Sequence, residues 1–144
     1  MSDLVITTLP DDRDQEIADL WTACGLVVSY NPPLDDIAFA RQSTDAEILV
    51  GTQDGRIVAT TLVGHDGHRG WLYYVAVAPD LQGSGFGAEI VHAAEAWLKE
   101  RGVRKVQLLV RATNTKVMSF YDHLGYETSN VTVMQRWLTD EIPS

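Results

Sequence analysis

Apolar and polar residues change their spacing several times along this chain, and each change marks an element. Leu4 to Leu9 reads Leu-Val-Ile-Thr-Thr-Leu, a β-branched run that Pro10 ends as a first strand. Asp11 then stands as a helix N-cap, with Asp12 and Asp14 in a first turn where the helix dipole favours negative charge. Ile17, Leu20, Trp21 and Cys24 follow at i, i+3, i+4 and i+7, one apolar stripe, and Gly25 closes the helix. Asn31-Pro32-Pro33 interrupts the pattern. Leu34 to Arg41 reads as a short second helix with Asp35 and Asp36 in its first turn.

From here the period turns strand-like. Ala46 to Thr52 and Arg56 to Val63 are two strands joined by Gln53-Asp54-Gly55, whose Asp-Gly pair suits a tight hairpin. The glycine-rich turn Gly64 to Gly70 leads into a third strand of this meander, Trp71 to Ala78, which Pro79-Asp80 stops. A long helix then shows Phe86, Ile90, Ala93, Ala94, Trp97 and Leu98 on one face, with Gly102 past its end. Trp21 and Trp97 both read as core. Lys105 to Val110 is a strand and Asn114 to Leu124 a helix with Val117, Phe120, Tyr121 and Leu124 along one side. Val131 to Leu138 is expected as the last strand.

The element order is therefore β-α-(α)-β-β-β-α-β-α-β. A meander implies antiparallel pairing, and a helix between the strands at 71 and 105 implies a parallel crossover. The fold class is a mixed α/β sheet flanked by helices. With no internal repeat and no linker, residues 1–144 read as a single domain.

Composition narrows the classes. At 144 residues and 45% hydrophobic content the chain can bury one core. Its apolar runs are too short to span a bilayer, and no basic region precedes an apolar run at the N-terminus. Cys24 is the single cysteine and has no neighbours at metal-ligand spacing. The expectation is a reduced, cytoplasmic protein with no metal and no membrane partner. Net charge is 11 − 20 = −9, which argues against nucleic acid. It fits either a cationic partner or simple solubility.

The densest chemical signal is Gln82-Gly83-Ser84-Gly85-Phe86-Gly87, between a strand and a helix. Such glycines let the backbone approach a ligand, and the helix start leaves its first N–H groups unpaired. Together they suit a pyrophosphate. Gly83, Gly85 and Ala88 also match the dinucleotide fingerprint G-x-G-x-x-A. That fingerprint belongs after the first strand of a repeated βαβ array, whereas this one follows a meander with too little chain left for a second half. A plain tight turn is the other alternative.

Val75-Ala76-Val77-Ala78-Pro79-Asp80-Leu81-Gln82-Gly83-Ser84-Gly85-Phe86-Gly87 resembles motif A of the GNAT (GCN5-related N-acetyltransferase) superfamily, whose core Q/R-x-x-G-x-G/A is met by Gln82, Gly85 and Gly87. Asn114 to Tyr126 resembles the same family's N-x6-Y-x3-G-[FY] segment through Asn114, Tyr121, Gly125 and Tyr126. Trp21 to Leu26 and Gly64 to Gly70 are similar to a small bacterial branch of that family. The resemblance implies a GNAT-like, mostly antiparallel sheet of six to seven strands. It also implies acetyl-CoA as co-substrate. The loop amides of Gln82, Gly83, Ser84, Gly85, Phe86, Gly87 and Ala88 would hold the pyrophosphate, and a bulged strand would offer Val75, Ala76 and Val77 to pantetheine. Asn114 would touch the cofactor, and Tyr121 would lie near its sulfur. The implied partner is an amine-bearing acceptor, a small molecule or a protein N-terminus, and homodimerisation is left open.

Acetyl transfer needs an oxyanion stabilised, an amine deprotonated and a sulfur protonated. A bulged strand can aim the Val77 N–H at the oxyanion. A phenol of pKa ~10 can serve a thiolate whose conjugate acid lies near ~8.5, which fits Tyr121 as general acid. The base is not assigned. Several members of the family carry a glutamate on one of the flanking strands, but Trp71 to Ala78 and Leu108-Leu109-Val110 contain no acid. Water, Tyr73, Tyr74, an acid from residues 30 to 47, His65 and His68 remain open. The missing carboxylate motivates an alternative, a non-catalytic CoA-binding or interaction module on the same fold.

Overall fold

The β-branched runs of the first 108 residues pair into one sheet. It contains β1 (Val5–Thr8), β2 (Ala46–Gln53), β3 (Arg56–His65), β4 (Gly70–Val77) and β5 (Val106–Leu108) in that spatial order. The first three pairings are antiparallel, and β5 runs parallel to β4. The β2–β3 hairpin turns on Asp54 at φ 51° and Gly55 at φ 80°, both left-handed as a type I′ turn requires. This computed structural model describes residues 4–140 and divides into two units, one ending at Leu108 and the other beginning at Leu109.

Among the described residues the sheet has five strands rather than six or seven. The expected last strand, Val131 to Leu138, forms no ladder, and its Val131 and Val133 are exposed. Alternation shows that a segment is able to pair. A strand exists only where a neighbour supplies the hydrogen bonds.

The first unit holds α1 (Asp14–Ala23), α2 (Pro33–Arg41) and α3 (Phe86–Glu100), with a 3-10 turn at Pro79–Leu81. α1 starts at Asp14 rather than directly after Asp11. Residues 11–12 form a turn instead, with Arg13 N–H donating to Pro10 O at 3.3 Å, and Arg13 stands at the N-cap without a side-chain cap. Glu16 explains where the helix docks. Its Oε2 accepts from the Ile57 amide at 2.9 Å, and Arg13 reaches both Glu16 and Gly55 O.

Alternation along β3 sorts the helices onto two faces. Val63 pairs with Leu72 and shares its face with Gly70, where an added Cβ would meet Leu98 of α3. Thr60 points the opposite way and accepts from the Trp21 indole of α1 at 2.8 Å. The sheet is thus packed on both sides, with Trp21, Ile17 and Ile37 buried on one and Ile90, Val91 and Leu98 on the other. Trp97, expected in the core, is only half-buried, with the Arg101 guanidinium 3.5 Å above its ring.

The second unit is built on α4 (Thr115–His123), capped by Asn114, whose Oδ1 accepts from Val117 N–H at 3.2 Å. Gly125 at φ 90° follows the helix end.

Candidate active site

β4 carries a bulge. Thr60 pairs with Ala76 and Leu62 with Tyr73, so Thr61 alone faces both Tyr74 and Val75. Tyr74 absorbs the extra residue at φ 52°, left-handed and unusual for a bulky side chain. Beyond it the strand's polar edges are sorted. Ala78 N–H donates to Val58 O at 2.8 Å, so Ala76 and Ala78 turn their amides to β3, and Val75 and Val77 turn theirs away. β5 pairs β4 only along Gly70–Leu72, so it does not take up that outer edge at Val75 and Val77. The Val77 carbonyl there accepts from Cys24 Sγ at 3.2 Å and, at a longer 3.4 Å, from Gln82 Nε2.

The glycine loop continues directly from this edge. Gly83 at φ 85° and Gly85 at φ 91° are left-handed, and Gly85 is the N-cap of α3. Gln82, Gly83, Ser84 and Gly85 are exposed, whereas the Phe86 ring is buried and pins the helix start. The first i→i−4 bond at this end runs from Glu89 N–H to Gly85 O. The amides of Phe86, Gly87 and Ala88 therefore precede the helical ladder, with Phe86 N–H donating weakly to Ser84 Oγ at 3.4 Å. Thus Val75, Ala76 and Val77 lie on a strand edge that β5 does not pair, and the chain runs from it through the 3-10 turn to the glycine loop and positive helix end at Gln82 to Ala88.

Asn114 and Tyr121 belong to the second unit. Tyr121 is 8% exposed, with its ring against Phe120 (centroids 4.9 Å) and Tyr126 (5.5 Å) in edge-on geometry. Burial pushes its phenol up to about 12, so it keeps its proton throughout the neutral range.

The histidines are placed away from this segment. His65 and His68 flank the turn before β4, and the glycine loop follows its far end, roughly 20 Å along the strand at ~3.3 Å per residue. His65 Nδ1 accepts from Gly67 N–H, and Asp66 accepts from the amides of His68 and Arg69, which lowers the Asp66 carboxyl. They order a turn. Cys24 packs as its position at a helix C-terminus suggests, and burial raises its thiol.

A second group of residues brings together two of the groups left open as bases, Tyr74 and an acid from residues 30 to 47, through a contact that spacing does not report. Tyr74 OH donates to Asp36 Oδ2 at 2.6 Å, and its ring stacks on Trp21 with centroids 3.8 Å apart and planes within 6°. Thr60 Oγ1 joins them, accepting from Trp21 and donating to Tyr74 O at 2.9 Å. Burial, and then Asp36, raise the Tyr74 phenol strongly. The bulge that aims this ring depends on one backbone angle, which periodicity does not report.

The sequence profile of the Acetyltransferase (GNAT) family matches residues 14–126. Acetyltransferases of Yersinia pestis and Yersinia pseudotuberculosis are 34% identical over 137 residues, 94% of this chain and 97% of theirs. Among solved structures, the aminoglycoside acetyltransferase AAC(6')-Iy, in complex with a bisubstrate analogue, superposes with a TM-score of 0.81 at 15% identity, over 96% of this chain and 100% of that one. The ribosomal-protein-S18-alanine N-acetyltransferase of Escherichia coli gives 0.76 at 23% identity, over 88% and 79%.

Proposed function

Since the chain belongs to the Acetyltransferase (GNAT) family, we propose that it transfers an acetyl group from acetyl-CoA to a primary amine of a small molecule or a protein N-terminus. The observation that carries this reading is the continuous stretch from Val75 to Ala88. Its strand edge, which β5 does not pair, suits the amides of a pantetheine arm, and its glycine loop and helix end suit a pyrophosphate. Two structural neighbours are named for a protein alanine and for an aminoglycoside as acceptors, and the proposal takes in both acceptor classes.

In this reading the Val77 N–H, turned away from β3, faces the thioester oxygen and stabilises the charge that develops there. Tyr121 donates to the departing sulfur. Against a thiol near ~8.5, a phenol near 12 is the weaker acid by ~3.5 units, or about 5 kcal/mol. Tyr121 therefore acts chiefly as a hydrogen-bond donor to the sulfur while its charge builds, and the proton that the amine loses on attack balances the one that the sulfur gains. Asn114 spends Oδ1 on the helix cap, so its side-chain nitrogen is the atom assigned to the cofactor.

Thiol release from acetyl-CoA, followed with a panel of primary amines, tests the proposal. Tyr121→Phe is expected to hold acetyl-CoA affinity within about twofold and to lower kcat by about a hundredfold. Unchanged turnover would remove Tyr121 from the mechanism. Tight acetyl-CoA binding with no turnover of any amine would favour a non-catalytic CoA-binding module.

A further inference from the structure

Asp36 is a carboxylate that the structure bonds to the β4 bulge, and its surroundings differ from those of an ordinary surface acid. The Tyr74 ring that holds it is fixed from three sides: by the left-handed backbone at φ 52°, by the Trp21 stack, and by Thr60 bonded to both residues. Asn31 also hydrogen-bonds the phenol. A bulge, a strained tyrosine and a buried tryptophan thus converge on one oxygen of one carboxylate. Strain of this kind persists only where the surroundings over-determine it, and it concentrates at ligand sites.

The carboxylate itself remains half-exposed, with Oδ2 taken by the phenol. An ionised carboxylate has about four lone-pair sites, so further acceptor capacity remains for a ligand. Asp36 also lies in the first turn of α2, where the helix dipole favours its negative charge.

We propose that Asp36, positioned by Tyr74, binds an ammonium group of the acceptor and so selects aliphatic amines that are protonated at neutral pH. This inference rests on the acetyltransferase reading, because it assigns that reaction's acceptor subsite. Tyr74 is one residue before Val75, so the subsite adjoins the strand edge assigned to pantetheine. The net charge of −9 acts in the same direction at longer range.

Asp36→Asn separates this role from that of a clip tying α2 to β4, because asparagine still offers the phenol an oxygen but carries no charge. Thiol release is measured with an alanine-initiated peptide, an aliphatic diamine and an amino sugar, with Asp35→Asn as the matched charge change next door. For an amine that turns over, Asp36→Asn is expected to raise its KM by about tenfold or more. The KM for acetyl-CoA and the thermal midpoint should stay unchanged, and Asp35→Asn should match the parent protein. Tyr74→Phe should raise the amine KM by a smaller factor. An amine KM unmoved by Asp36→Asn, or moved equally by Asp35→Asn, overturns the assignment.

If no amine turns over, the acetyltransferase reading fails first, and the subsite is judged by binding. The Trp21 indole and Tyr74 amide resonances are then followed during titration with the same amines and with their hydroxyl analogues. Shifts from the amines alone, lost in Asp36→Asn, sustain the subsite. Equal shifts from amines and alcohols, or no shifts, overturn it.

Discussion

Thr60 shows how much one buried hydroxyl can organise. It is fully buried, accepts from the Trp21 indole and donates to the Tyr74 carbonyl, so it couples α1 to the bulge. Thr60→Val keeps the volume but leaves an indole N–H and a carbonyl without that partner. The expected cost is about 1–3 kcal/mol, read as a lower denaturant midpoint at unchanged m-value. An unchanged midpoint would mean that water replaces the hydroxyl. Tyr121 gives a second prediction at this scale, with a definite sign. Its folded pKa, about 12, lies above the ~10 of an unfolded tyrosine. Its contribution to stability is therefore complete below pH ~10 and is lost as pH rises through about 12, because the unfolded chain releases the proton first. A spectrophotometric titration of the folded protein should show Tyr121 among the late phenols, together with Tyr74, and Tyr121→Phe should remove one of them. A Tyr121 titrating near ~10 would contradict its burial. Neither residue's environment could be read from spacing. Tyr121 was legible as a motif position, whereas the Asp36–Tyr74 contact joins residues 38 positions apart through a bulge that leaves no periodic trace.

Elements were more legible than contacts, because each has a repeat. The stripe Ile17, Leu20, Trp21 and Cys24 located α1, and the Asp54-Gly55 pair located the hairpin, since left-handed angles there favour those residues. Val131 to Leu138 is also rich in strand-forming residues and forms no strand, because pairing depends on a neighbour that the segment itself does not encode. Two glycines on β4 and α3 turn this into predictions. At Gly70 a Cβ would sit 2.6 Å from Leu98 Cδ1, a side chain only 2% exposed. Gly70→Ala should therefore overpack the sheet against α3 and cost about 1–3 kcal/mol in chemical denaturation. At Gly85 the space is open and the difficulty is φ 91° at the head of α3. Gly85→Ala should cost about 1 kcal/mol of stability, and should weaken CoA binding by calorimetry because straightening that turn re-aims the loop amides. Full CoA affinity in a destabilised Gly85→Ala would detach the loop from the cofactor.

At the scale of the whole molecule, the two substrates of the proposed reaction meet the same field with opposite consequences. A net charge of −9 attracts a cationic amine and repels a polyanionic phosphate ligand such as CoA. CoA binding must then come from short-range contacts: backbone amides at a helix start, which work at hydrogen-bond distance and against the long-range field. Amine capture draws on both ranges, the distributed charge for encounter and Asp36 for the contact. Salt separates the two. The screening length shrinks from about 10 Å at 0.1 M to about 3 Å at 1 M, so added salt removes the distributed term before it touches a contact pair. Raising sodium chloride over that interval should raise the KM of the amine, more steeply for a diamine than for a monoamine. The KM of acetyl-CoA should stay level or fall as its repulsion is screened. The Asp36→Asn variant should keep most of the salt slope while starting from a higher KM, because it removes one contact charge and leaves the remaining field. Parallel salt responses for amine and acetyl-CoA would show that the field has no part in sorting them.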